Sequence, residues 1–158
     1  MKCSLLSRHM TCAHDWISRL VLPGDTEVDD TEGNEHDSAF LARLVGPGGK
    51  VRAFDMQEEA LRSARERLSE EGLLTDAVCF HLASHSRLAE LVRGPVKAIM
   101  FNLGYLPGGD RNLITRTDST LAALEQAVNL TAPNGILSVV CYPGHEGGTP
   151  EAAAVDHL

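Results

Sequence analysis

Apolar residues recur along this chain at alternating periods, near 3.6 residues in some stretches and near 2 or continuous in others, and the alternation predicts the elements in order. Over residues 4–20 the positions Leu5, Leu6, Met10, Ala13, Trp16, Ile17 and Leu20 repeat at helical spacing, until Pro23-Gly24 breaks the pattern. This helix reads most simply as a cover for a sheet, and less readily as a lid. Residues 26–40 read as a short strand, a turn at Gly33-Asn34 and the opening of a helix whose stripe is Phe40, Leu41, Leu44 and Val45. The run Gly46-Pro-Gly-Gly49 stops that helix. Next come a strand over 50–55 and a helix over 58–71. The latter carries Ala60, Leu61, Ala64 and Leu68 inward, with Arg62, Arg65, Glu66 and Arg67 toward water. A strand over 76–82 leads to a short helix opening at Ser84-His-Ser86. Residues 96–102 are almost continuously apolar, as expected of a central strand covered on both faces. A long loop follows, then a helix over 119–131 with Leu121, Leu124, Val128 and Thr131 on one side. Asn134-Gly135 turns into a strand over 136–142, a glycine-rich loop runs to Gly148, and Thr149-Pro150 caps and opens a last helix.

Strands alternating with helices predict an α/β fold: one three-layer, Rossmann-like domain over residues 1–158 around a mostly parallel sheet, its first 22 residues forming the N-terminal helical cover. Ligands of such sheets bind at the carboxyl ends of the strands. That rule places residues 30–37, Asp55, residues 81–85, 102–105 and 142–145 along one rim.

Composition narrows the classes. With 43% hydrophobic and 23% charged residues the chain is that of a soluble globular protein. Arg8, His9 and His14 interrupt the apolar residues near the start, and no stretch approaches a membrane span, so no membrane partner and a cytoplasmic location are expected. A net charge of −8 argues against a coat for nucleic acid, while leaving room for a local basic patch. Cys3, Cys12, Cys79 and Cys141 form no Cys-x-x-Cys pair, and two fall in strands, which reads as buried reduced thiols. The seven histidines lack metal-ligand spacing, so no metal is expected.

The strand, turn and helix around Gly33 present unpaired N–H groups and a positive dipole end to an anionic group. Asp55 lies 22 residues after Gly33, near the spacing that sets an acid on a cofactor ribose. The turn lacks the Gly-x-Gly-x-x-Gly that a pyrophosphate requires, which disfavours a nicotinamide oxidoreductase. S-adenosylmethionine (SAM) has no phosphates and needs contacts for a carboxylate, an acid for its ribose and a slot for adenine. Asn102-Leu-Gly-Tyr105 closes the central strand and resembles the Asn-Pro-Pro-Tyr motif of amino-group methyltransferases. Methyl transfer is an in-line displacement, so the amine lone pair must be aimed at the methyl carbon, and two hydrogen-bond acceptors do this by holding the amine hydrogens. The plainer reading is a turn with an Asn cap and a packed Tyr.

Four words together, residues 29–37, 53–57, 102–110 and 142–148, resemble one family, the bacterial proteins long labelled putative rRNA methylases. Its characterised members methylate the 5-aminomethyl group of the tRNA wobble uridine. The resemblance runs from about Ala13 to Ala154 and implies a class I, SAM-dependent methyltransferase acting on tRNA at its anticodon region. It implies that Asn34, His36, Asp37, Asp55, Gln57, Ser84 and His85 line the cofactor, beside Asp30 and Gly33 of the turn. Asn102, also beside the cofactor, would act with Tyr105, Tyr142 and His145 on the substrate, His145 being suited to take the released proton. Gly104 would lie against the substrate, and Arg111 and Arg116 would meet tRNA phosphates. The chain carries Asp30 where family members commonly have Ala and Glu35 where they have Gly, adding carboxylates that repel a methionine carboxylate. The family also continues into further strands of a seven-stranded sheet. Without them the fifth strand is expected at an exposed edge, which suits a homodimer. The alternatives are an rRNA substrate or a relative that binds SAM or RNA without turnover.

Overall fold

The computed structural model describes residues 5–31, 37–103, 116–142 and 148–158, with residues 5–7 as backbone only. Helix α1 (Leu5–Leu20) precedes β1 (Thr26–Asp29), α2 (Asp37–Val45), β2 (Lys50–Asp55), α3 (Glu58–Glu70) and β3 (Val78–Leu82). A 3-10 turn (His85–Arg87), α4 (Leu88–Leu91), β4 (Val96–Leu103), α5 (Thr117–Leu130), β5 (Thr131–Cys141) and α6 (Gly148–Asp156) follow. The five strands form a sheet of order β3-β2-β1-β4-β5, and every pair is parallel. The three-layer α/β expectation holds.

Side-chain alternation on the strands divides the core. Ala98 and Met100 of β4 face one way with Val51, packing under Met10 and Ile17 of α1, Leu41 and Val45 of α2, and Leu68 of α3. Ile99 and Phe101 face the other way with Val28 and Phe54, against Leu88 of α4 and Ala123, Leu124 and Ala127 of α5. Being covered on both sides makes β4 a near-continuous apolar run.

Several boundaries and faces differ from expectation. The inward side of α5 is Thr120, Ala123, Leu124 and Ala127, while Val128 is 65% exposed, so the buried face is rotated from the one the larger apolar residues suggested. Small alanines let α5 lie close to the sheet, and packing distance outweighed hydrophobicity. Trp16, expected inward on α1, is 55% exposed and carries the Arg19 guanidinium 5.5 Å from its ring centroid. Cys79 and Cys141 are only half-buried because β3 and β5 are the sheet edges, and Cys12 is exposed. Strand β5 begins at Thr131, directly after α5, instead of after the Asn134-Gly135 turn. The turn survives as an irregularity inside the strand: Val96 pairs with Thr131 but Ala98 already pairs with Ile136. Asn134 sits there at φ 62°, and a Cβ on Gly135 would stand 2.9 Å from the Lys97 carbonyl oxygen, so the turn chemistry is used within the ladder. Helix α6 starts at Gly148, just before the expected Thr149 cap. No helix among the described residues is long and apolar enough to cross a membrane.

Candidate functional site

Parallel strands bring their carboxyl ends to one side of the sheet, and there β1, β4 and the start of α2 meet. The link at their centre is Asp37, the first residue of α2, 2% exposed. Its Oδ1 is 2.6 Å from His14 Nε2 of α1, and its Oδ2 accepts a hydrogen bond from Asn102 Nδ2 at the end of β4. A carboxylate beside a helix N-terminus also gains from the dipole. The Asn102 backbone N–H donates to Thr31 Oγ1, tying the end of β4 to the residue following β1's last acids. With its amide nitrogen committed to Asp37, Asn102 is left with Oδ1, a buried acceptor that has no hydrogen-bond partner among the described residues. Burying a carbonyl oxygen unbonded costs roughly 1–3 kcal/mol. A ligand N–H would remove that cost.

Two acids close β1. Asp29 accepts from Ser38 Oγ at 2.8 Å, which fastens strand to helix. Asp30 donates its backbone N–H to the Met100 carbonyl at 2.9 Å, yet both its carboxyl oxygens are buried without hydrogen-bond partners among the described residues. Burial, with the nearby Asp55 charge adding to it, pushes the Asp30 carboxyl well above the usual carboxylate range and favours its neutral form. The repulsion that a carboxylate at this position would exert on a bound anion is correspondingly reduced. At the end of β2, Asp55 Oδ1 accepts the Gln57 backbone N–H at 2.8 Å, so the acid and Gln57 form one turn beside Asp30.

Ser84 and His85 also make contacts within the scaffold. The Ser84 hydroxyl caps the 3-10 turn, accepting the Ser86 N–H at 3.3 Å. His85 Nε2 lies 3.1 Å from Ser119 Oγ of α5, with its ring tilted against Phe101, and burial drives its pKa down to about 4. It is thus a neutral buried histidine between α5 and the sheet. Arg116 stands at the N-terminal end of α5, exposed, where its carbonyl accepts from Thr120 N–H at 2.8 Å. Tyr142 follows β5 and lines a groove of about 540 Å³ between α1 and that strand, with His9, Cys12, Trp16, Ile136 and Val140. Gly33, Asn34, Glu35, His36, Gly104, Tyr105, Arg111 and His145 lie outside the described residues.

The geometry joins Asp37 with Asn102 and Asp30 with Asp55, pairs distant in sequence. It also adds residues that sequence reasoning missed. His14 occupies the inward stripe of α1, four residues after Met10 and three before Ile17, and a histidine in an apolar stripe was the available signal. Thr31 sits within the Asp29–Asp37 word but was given no task.

A family model described as "Putative rRNA methylase" matches residues 51–158. Among curated relatives, the chain is 37% identical over 153 residues to the chloroplastic tRNA (mnm(5)s(2)U34)-methyltransferase of Arabidopsis thaliana; the match covers 91% of this chain and 56% of that protein. The chain thus spans little more than half of that relative's length. Among solved structures, a putative rRNA methylase from Clostridium thermocellum superposes with a TM-score of 0.89 at 41% identity, over 94% of this chain and 80% of that one. A putative methyltransferase from Streptococcus mutans in complex with SAH superposes with a TM-score of 0.83 at 33% identity, over 95% and 80% of the two chains.

Proposed function

Because the chain belongs to the family described as putative rRNA methylases and has the class I methyltransferase fold, we propose that it uses S-adenosylmethionine to methylate an exocyclic amine of RNA, the aminomethyl group of a modified wobble uridine in tRNA. The observation that carries the reading is the Asn102 side chain: its nitrogen is held by Asp37 and its oxygen is a buried acceptor without a partner among the described residues. An acceptor so fixed suits the hydrogen of a neutral amine.

The residues at the rim fit the cofactor. Asp55 stands at the end of β2, where an acid serves ribose hydroxyls, and the neutral form of Asp30 limits the negative charge beside it. Gly33, Asn34 and His36 would supply the methionine end, with Gln57, Ser84 and His85 supporting the nucleoside side. Bound there, S-adenosylmethionine supplies an electrophilic methyl group on its sulfonium. Asn102 then holds an amine hydrogen and so directs the lone pair, while Tyr105 and Tyr142 stack on or flank the base. His145 takes the proton that the methylated amine releases. Gly104, Arg111 and Arg116 contact the RNA, the arginines through phosphates of the anticodon region. The mnm(5)s(2)U34 enzyme of Arabidopsis supports tRNA over rRNA as substrate.

The test is methyl transfer from labelled SAM to hypomodified tRNA and, in parallel, to rRNA fragments, preceded by calorimetric titration with SAM. Label in tRNA alone is expected, and Asn102→Ala should cut the rate on the order of 100-fold, as a misdirected amine requires. Label in rRNA alone would overturn the tRNA assignment. SAM binding without transfer to any RNA would favour a non-catalytic relative.

A further inference from the structure

Both oxygens of Asp37 are engaged, and the two partners come from elements far apart in the chain. His14 Nε2 from α1 reaches Oδ1 at 2.6 Å, and Asn102 Nδ2 from the end of β4 reaches Oδ2. A carboxylate only accepts, so Nε2 must carry a hydrogen and the amide of Asn102 must turn its nitrogen, not its oxygen, toward Asp37. The imidazole is fixed on its other side as well. It lies flat on the Phe40 ring, 3.8 Å between centroids and 3° between planes, and Phe40 stands one helical turn beyond Asp37 on α2. Helix α1 thereby braces the acid that orients Asn102. With His14 removed, Oδ1 loses its described partner, and the carboxylate is free to rotate and carry the Asn102 amide with it.

We propose that His14 is a positioning residue for methyl transfer, acting through Asp37 to hold the Asn102 carbonyl toward the substrate amine. The proposal rests on the reading that Asn102 accepts a hydrogen of that amine. In this arrangement α1 contributes to the geometry of the acceptor as well as covering the sheet. His14 touches neither substrate nor cofactor in this role, so its loss moves the rate and leaves binding.

The test compares the protein of this sequence with its His14→Ala and His14→Gln variants, the glutamine amide being able to place an N–H near the site of Nε2. Three quantities are read: SAM affinity by calorimetry, kcat and KM on hypomodified tRNA, and the Asn102 side-chain amide signal in a nitrogen-15 NMR spectrum, assigned by its loss in Asn102→Ala. The expected result for His14→Ala is a kcat about tenfold lower, with KM and SAM affinity within about twofold and the Asn102 amide signal shifted. His14→Gln should restore both the rate and the signal. An unchanged kcat and amide signal in His14→Ala overturns the proposal, as does a loss of SAM affinity, KM and kcat together that glutamine does not rescue. Should the wild-type protein methylate no RNA, the reading of Asn102 as acceptor fails. The amide signal still decides whether His14 holds Asn102: a shift restored by glutamine supports it, and no shift overturns it.

Discussion

Buried ionisable side chains show how single residues in this protein are set by their surroundings. Glu27 on β1 is fully buried, and neither of its oxygens has a side-chain partner among the described residues; burial raises its pKa from 4.5 to about 8, opposed by the Ala98 backbone and Lys97 and assisted by Asp25. Between those two pH values the folded chain holds a proton that the unfolded chain has released, so stability falls as pH rises through this window. Glu27→Gln keeps the shape and cannot ionise. It is expected to stabilise the protein on the order of 2 kcal/mol at pH 9 and by less than about 0.5 at pH 5, measured by thermal melts at both values. His85 has the opposite sign. Its pKa falls from 6.5 to about 4 through burial, so the unfolded chain binds the extra proton between these values, and stability is complete above 6.5 and lost as pH falls toward 4. Its ring proton signals should therefore stay constant from pH 8 to 5, and a titration midpoint near 6.5 would contradict the burial seen here. Neither burial was visible in the chain, where Glu27 is one acid among several and His85 stands at the opening of a short helix.

At the scale of elements, periodicity located the helices and packing chose their faces. Helix α3 buries the same Ala60, Leu61, Ala64 and Leu68 that its spacing marks. Helix α5 does not follow its largest apolar residues, because Ala123 and Ala127 permit a closer approach and turn Val128 outward. Leu124→Ala is expected to cost about 2–5 kcal/mol in a denaturant titration, and Val128→Ser about 0.5 kcal/mol or less. Equal costs would restore the face that the sequence suggested. Strand β5 gives a similar lesson, since Asn134-Gly135 marks a turn in any chain, but only β4 beside it shows that pairing resumes on both sides. Backbone conformation is local information; a ladder partner is not.

For the whole molecule, sheet order decides which parts are stable. Strands β1, β2 and β4 each have a neighbour on both sides, whereas β3 and β5 have one among the described residues. Amide exchange should therefore be slowest in β1, β2 and β4, and faster in β5 despite its 11 residues. Protection of β5 equal to β4 would show that its free edge is covered in solution, as pairing with a second copy would do. The same order explains the half-buried Cys79 and Cys141, expected inside from their strand sequences and left nearer to solvent by their edge positions.

The sequence by itself determined the alternating α/β plan, the boundaries of β2, the inward face of α3 and the strand ends that form the rim, because these follow from periods of a few residues and from local turn chemistry. The four words of the family resemblance also lay in the sequence. Only the tertiary structure decided that Asp37 joins His14 to Asn102, 65 residues apart in the case of Asp37 and Asn102, and that Asp30 shares its surroundings with Asp55. Contacts of that kind depend on where parallel strands and the helices over them bring distant residues together, and no local period encodes the distance between two side chains on different strands.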